Sequence, residues 1–245
     1  MEILFLFLAG ASVGSFLNVC IYRIPRGAGI ARGRSSCPAC GERIKNADLV
    51  PVVSYMLLKG RCRNCAGRIP ARYPAVELAT GVIWTMIFVK YGTGLEFAKY
   101  AVLSSLMITA AVIDIETGEV YTSLVATGAA AGLLFSINDS GNAADSLLGA
   151  LLGFAAIAPF ALAGGMGWGD ADLFMLCGLF LGVYKTGLLL LLSFMTGSAA
   201  GICLMALSCK GKGDSIPFGP FIASASVIVI LLGDWLLRLY ASVIF

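Results

Sequence analysis

Histidine is absent from this 245-residue sequence, and charge is scarce. Without an imidazole there can be no Ser-His-Asp triad, no Cys-His dyad and no histidine-ligated hydrolytic zinc. A hydrolase made from this chain has to use carboxylates, lysine or a metal held by other ligands. Charged residues are only 13% of the chain, against about 25% in a soluble domain. With a mean hydropathy of +0.91, the composition fits a lipid bilayer. Two further features are missing. No internal repeat of the kind found in many transporters is visible, and no Gly-rich dinucleotide fingerprint occurs. The apolar start, Met1 to Tyr22, has no basic segment before it; its basic residues follow. That order predicts a retained first helix with an external N-terminus rather than a cleaved signal.

What the chain has in abundance is apolar sequence. Eight stretches read as membrane spans, at 2–23, 74–91, 97–115, 119–137, 144–164, 170–184, 187–208 and 217–240. Most reach or approach the ~20 residues needed to cross the hydrocarbon core. The sixth is short, which allows for tilt or local unwinding under cover of protein. Glycines recur four apart at Gly10/Gly14, Gly128/Gly132, Gly149/Gly153, Gly178/Gly182 and Gly197/Gly201, a spacing that lets helices approach closely in lipid. The fold class expected is therefore an all-α polytopic membrane protein of about eight transmembrane helices. It is read as a single membrane domain over 1–245, with a small cytoplasmic insertion at 24–73.

Orientation follows from the basic residues. Eleven of the seventeen lie between Arg23 and Arg72, and Lys210 and Lys212 mark a second polar stretch. The positive-inside rule puts 23–73 and 209–216 in the cytoplasm and, with an even number of spans, both termini outside.

The insertion carries Cys37-Pro-Ala-Cys40 and, after 21 residues, Cys62-Arg-Asn-Cys65. Two CxxC pairs so spaced read as a structural four-thiolate zinc site, because four ligands close the tetrahedron. The alternatives are a pair of disulfides, which a cytoplasmic location disfavours, or thiols with redox work. Cys20, Cys177, Cys203 and Cys209 read as packing residues or free thiols.

The second constellation is a pair of acids. Asp114 closes the third span and Asp170 opens the sixth, after Gly167-Trp168-Gly169. Because spans alternate in direction, both acids fall on the cytoplasmic side. Two carboxylates at one surface can share a proton, one activating water and the other donating a hydrogen bond to a scissile carbonyl. The plain alternatives are a helix N-cap for Asp170 and an interfacial acid for Asp114. An ionisable residue at membrane depth is nevertheless a functional candidate. Two rivals stay open at this point: a transport or export component that relays ions through these acids, and a membrane thiol oxidoreductase using the CxxC pairs.

In order along the chain, several motifs resemble those of the type IV prepilin peptidase family, which shares its catalytic pattern with GxGD aspartyl proteases. They are Gly14-Ser15-Phe16-Leu17-Asn18-Val19 with Ile21-Tyr22-Arg23-Ile24-Pro25, the two CxxC pairs, Leu58-Lys59-Gly60-Arg61-Cys62-Arg63, Arg72-Tyr73-Pro74-Ala75-Val76-Glu77-Leu78, Gly165-Met166-Gly167-Trp168-Gly169-Asp170, and Ile216-Pro217-Phe218-Gly219-Pro220-Phe221. The resemblance implies cleavage by Asp114 and Asp170 of the basic leader of type IV prepilins or pseudopilins, at the cytoplasmic face of a bacterial inner membrane. It also implies N-methylation of the new N-terminus from S-adenosylmethionine, or cleavage without that second activity. The partners expected are prepilins of type IV pilus or type II secretion systems and the lipid bilayer, with no nucleic acid; oligomeric state is left open. Gly60, Arg61 and Glu77 are candidates for holding the methyl donor, with a turn, a surface charge and a helix cap as their plainer roles. Two departures from the family pattern stand near the dyad. Val120-Tyr121 occupies the place of a common Pro-Asp pair, and Asp172 that of a common lysine. A basic leader calls for acids near the cleavage point, and Glu116, Glu119, Asp172 and Asp214 are the candidates.

Overall fold

The computed structural model describes residues 1–30, 35–138, 143–207 and 216–244. Arg32, Arg34, Cys209, Lys210, Lys212, Asp214 and Phe245 lie outside the described residues. Among those described the chain is helical, with two isolated β-bridges. Contacts divide it into two compact units, Met1–Gly92 and Thr93–Phe245.

In the first unit α1 (Glu2–Arg23) packs against α3 (Arg72–Tyr91), and α2 (Val53–Leu57) lies in the connection between them. Helix α1 has Glu2 in its first turn and Arg23 in its last, each complementing the helix dipole. The α1–α3 crossing depends on glycine: a Cβ on Gly14 would lie 2.8 Å from the Glu77 Cα, and one on Gly10 would lie 3.0 Å from the Gly81 Cα. Any larger residue would push the two helices apart.

The second unit holds α4 (Leu95–Thr117), α5 (Thr122–Asn138), α6 (Ala143–Leu162), α7 (Trp168–Ala206) and α8 (Gly219–Ile244). Helix α4 ends at Gly118, whose left-handed backbone (φ 70°) returns its N–H to the Asp114 carbonyl at 2.8 Å. Helices α6 and α7 press backbone to backbone, so that a Cβ on Gly149 would stand 2.7 Å from the Gly178 carbonyl oxygen.

Among the described residues, five helices are long and apolar enough to cross a membrane: α1, α4, α6, α7 and α8. Helix α5 is apolar but shorter, at 17 residues, and begins at Thr122 rather than at 119. The sixth and seventh predicted spans need correction. Instead of two helices parted at 185–186, α7 runs on through that point and breaks earlier, at Gly182 (φ 76°, ψ 177°). The break is held by one bond from a neighbouring helix and one from α7 itself: Val183 donates its backbone N–H to Asp145 Oδ1 at 3.2 Å, and Thr186 donates its hydroxyl to the Gly182 carbonyl at 2.6 Å. Backbone groups freed at membrane depth need such partners. With α3, which is outside that set, and with α7 counted as two segments, eight helical segments correspond to the eight predicted spans.

Candidate active site and metal centre

Asp114 sits in the last turn of α4, only 6% exposed. Its Oδ2 accepts the backbone N–H of Gly219, the first residue of α8, at 2.7 Å. A Cβ on Gly219 would stand 2.8 Å from that same oxygen, so only glycine brings the donor this close. The sequence marks Gly219 within Ile216–Phe221 without revealing that its N–H meets the first acid.

Asp170 lies in the first turn of α7, and its Oδ2 accepts the Gly167 N–H at 3.3 Å. The N-cap is Gly167, and Asp170 reaches back to it from the helix interior. The turn before α7 is thereby fixed while the second carboxylate oxygen stays available. Asp170 lies within electrostatic reach of Asp114, and the two acids stand at opposite ends of their helices, the last turn of α4 and the first turn of α7. A second contact missed by sequence reasoning stands beside them: Val120 packs on Gly169 so tightly that a Cβ there would approach the Val120 Cβ to 2.6 Å. Val120 thus buttresses the segment that carries Asp170.

Of the other acids, Glu116 and Glu119 are exposed at the end of α4 and just after it, and Asp172 is half-buried on α7. Asp214 lies outside the described residues. Burial, followed by a hydrogen bond and charge from Glu119, raises the Tyr121 phenol above its ordinary pKa.

In the first unit the four predicted thiols converge. The Sγ atoms of Cys37, Cys40, Cys62 and Cys65 all lie within 4.8 Å of one another, with Cys37 and Cys65 3.9 Å apart. A tetrahedron with Zn–S of about 2.3 Å has edges of about 3.8 Å, so the cluster is of the size that a metal ion needs. Two matching turns build it. Cys37 N–H bonds the Glu42 carbonyl (2.9 Å) and Gly41 N–H the Cys37 carbonyl (2.8 Å); Cys62 N–H bonds the Gly67 carbonyl (2.8 Å) and Ala66 N–H the Cys62 carbonyl (2.9 Å). Backbone N–H groups of Cys65 and Asn64 pull the Cys62 thiol down to about 7, favouring the thiolate that a metal takes. A bidentate Arg63–Asp48 pair, with its shortest contact at 2.6 Å, ties the second turn to the preceding chain and holds Asp48 below the usual carboxylate range.

The three methyl-donor candidates separate. Gly60 (φ 65°) is buried in a turn beneath Tyr55. Arg61 is exposed and bridges to Arg68. Glu77, 8% exposed, accepts the Val52 N–H at 2.7 Å.

Comparison with known proteins gives these features a family. Residues 8–91 match the bacterial peptidase A24 N-terminal domain, and residues 101–202 match the type IV leader peptidase family. The Bacillus subtilis protein named prepilin leader peptidase/N-methyltransferase is 35% identical, over 98% of this chain and 97% of its own. The chain belongs to the type IV leader peptidase family. Proteins of the same name from Aeromonas salmonicida (31% identical; 97% of this chain, 93% of its own) and Pseudomonas putida (32%; 95% and 90%) are similarly related along their lengths. No solved structure matches. The two family matches fall one in each compact unit, so the leader-peptidase part coincides with the unit that holds both acids.

Proposed function

We propose that this chain is a membrane aspartic endopeptidase that removes the basic leader of type IV prepilins or pseudopilins at the cytoplasmic face of the inner membrane, and that it methylates the N-terminus so exposed. One observation carries the peptidase assignment: Asp114 is buried at the end of α4 with a backbone donor on one oxygen, and Asp170 lies within electrostatic reach. Two carboxylates that close cannot both ionise easily, so they share a proton. The ionised acid takes a proton from water as it attacks the scissile carbonyl, and the protonated acid donates a hydrogen bond to the developing oxyanion. Gly219 N–H fixes the orientation of Asp114, and Gly167 N–H that of Asp170.

Cys37, Cys40, Cys62 and Cys65 hold zinc as a closed structural site. S-adenosylmethionine supplies the methyl group. The cytoplasmic placement of the acids and of residues 24–73 rests on the basic residues between Arg23 and Arg72. The organisation as one membrane domain over 1–245 with an insertion at 24–73 belongs to the same proposal. The deciding experiment incubates purified protein with a prepilin, with and without the methyl donor, and weighs the products. Leader loss, plus one methyl group only when the donor is present, is expected. An intact prepilin after incubation with folded, metal-replete protein overturns the peptidase assignment.

A further inference from the structure

The middle of the excursion between α1 and α3 turns back onto α1. Leu49 and Pro51 share a small cavity with Ser12, Ser15, Phe16 and Val19 of that helix. Phe16 precedes Arg23 by seven residues, about 10 Å along the axis at 1.5 Å per residue. Val52 is tied in beside them: its backbone N–H donates to Glu77 Oε2 at 2.7 Å, and Glu77 packs against α1 at Gly14. Val52 is held there at φ 62°, a backbone region that a β-branched residue rarely enters. Helix α1 is long and apolar enough to span a membrane, and Arg23 lies in its last turn. A segment packed about 10 Å up the helix from that arginine stands where headgroups give way to acyl chains.

What this segment shows to its surroundings is apolar. Leu49, Val50, Val53, Met56 and Leu57 are exposed, Met56 at 72% and Leu57 at 77%. Val53, Met56 and Leu57 fall at i, i+3 and i+4 of α2, on one face of its turn. The backbone here supplies its own partners, as lipid requires. Ser54, Met56 and Leu58 donate their N–H groups to the Val50, Val52 and Ser54 carbonyls at 3.1, 3.0 and 2.9 Å, and the Ser54 hydroxyl donates to the Val50 carbonyl at 2.7 Å. Lys45 precedes the patch and Lys59 and Arg61 follow it, all three exposed. An apolar face edged with basic groups complements a leaflet that has acyl chains inside and anionic headgroups outside. We infer that residues 49–57 dip into the bilayer interface as a non-spanning anchor, with Lys59 and Arg61 on anionic lipid headgroups. Which leaflet receives them rests on the cytoplasmic reading of residues 24–73. Cys62 follows Leu57 by five residues, so the anchor holds the thiol cluster close to the membrane surface.

The test puts the photoreactive residue p-benzoylphenylalanine in place of Leu57 in the full-length protein, reconstituted in vesicles of phosphatidylglycerol and phosphatidylcholine in equal parts. Val82, exposed on α3, is the lipid-facing reference position, and metal content reports folding. Mass spectrometry should find phospholipid adducts at both positions, with phosphatidylglycerol over-represented at the Leu57 position. A basic group at the surface is worth up to about fivefold in anionic lipid, so Lys59→Gln with Arg61→Gln should bring that excess back towards parity. High salt should do the same. Adducts at Val82 but none at Leu57 in metal-replete protein would overturn the inference, leaving the segment in water. Crosslinks from Leu57 to a second copy of the chain, or to added prepilin, in place of lipid would overturn it too, making the face a protein-docking surface. Phospholipid adducts at parity in the protein with Lys59 and Arg61 intact would overturn the role of those two residues. If trypsin reaches residues 24–73 only from the outer face of cell-derived vesicles, the cytoplasmic reading falls, while lipid adducts at Leu57 would keep the segment in the interface.

Discussion

In Met1–Gly92 the polar chemistry lies in a long excursion between two helices, and in Thr93–Phe245 it lies on the helix ends themselves. The difference shows in what supports each site. Among the described residues of 24–71, Cys37 is the one hydrophobic residue that is buried. So little core cannot hold a subdomain together, and small modules of this kind depend on a staple such as a metal. Around the two acids the neighbours in sequence are core: Ile113 is 1% exposed, and Ala171, Leu173 and Phe174 are 0%. The first site should therefore fail when its metal goes, and the second should not. The two units share one device, helix crossings closed through glycine, at Gly10 and Gly14 in one and at Gly149 and Gly178 in the other.

The largest effect expected separates the acids from the thiols. Asp114→Asn or Asp170→Asn should lower cleavage by about 10²–10⁴-fold, the usual contribution of a positioned proton-transfer group, with metal content unchanged. Near-normal turnover by either metal-replete variant would remove the dyad assignment. Next comes the metal. Elemental analysis should find about one zinc per chain. Chelation or Cys62→Ser should abolish it, open residues 35–71 to limited proteolysis, and leave the helices of Thr93–Ile244 protected. Binding energy at such a site is folding energy, so unchanged proteolysis after chelation would show that the insertion folds without a staple. A smaller effect lies inside the metal centre. Its two turns match, but Gly41 (φ 71°) in the first is answered by Ala66 (φ 56°) in the second. A left-handed conformation costs a non-glycine residue about 1–2 kcal/mol. Ala66→Gly should accordingly slow metal loss to a chelator, and Gly41→Ala should speed it. Equal rates in all three proteins would show that the turn conformation does not limit metal release.

Much of this was legible in the sequence, and what was missed has a common cause. Local signals sufficed for the apolar segments and for the two CxxC turns, because hydropathy and cysteine spacing are properties of neighbouring residues. The break in α7 was misplaced because Tyr184-Lys185 reads as polar sequence between spans. Instead Lys185 stays helical and pairs with Asp234 of α8 at 2.9 Å, and the chain breaks at Gly182 where Asp145 of α6 caps it. Both partners are remote in sequence. The roles of Gly219 and Val120 at the acids were hidden for the same reason, since each acts on a residue far along the chain.

The smallest effect concerns how a basic leader is drawn to the acids. Asp172 stands two residues after Asp170, half-buried on α7, where family resemblance gives a lysine. Tyr121 stands where resemblance gives an acid, and its phenol donates a hydrogen bond to Glu119, so a carboxylate is kept at that position by a different residue. Acidity near the dyad would then be supplied by Glu119 and Asp172 together. Asp172→Lys should raise the KM for a basic leader, and raise it less for a leader whose lysines have been neutralised. Partly exposed pairs contribute about 0–1 kcal/mol, which bounds the change at roughly fivefold. The difference should shrink at high salt, since screening cuts the reach of exposed charge to about 3 Å at 1 M. Equal losses on both leaders would assign Asp172 to the support of Asp170 instead. Unchanged KM for both would make it a solvated acid with no part in leader recognition.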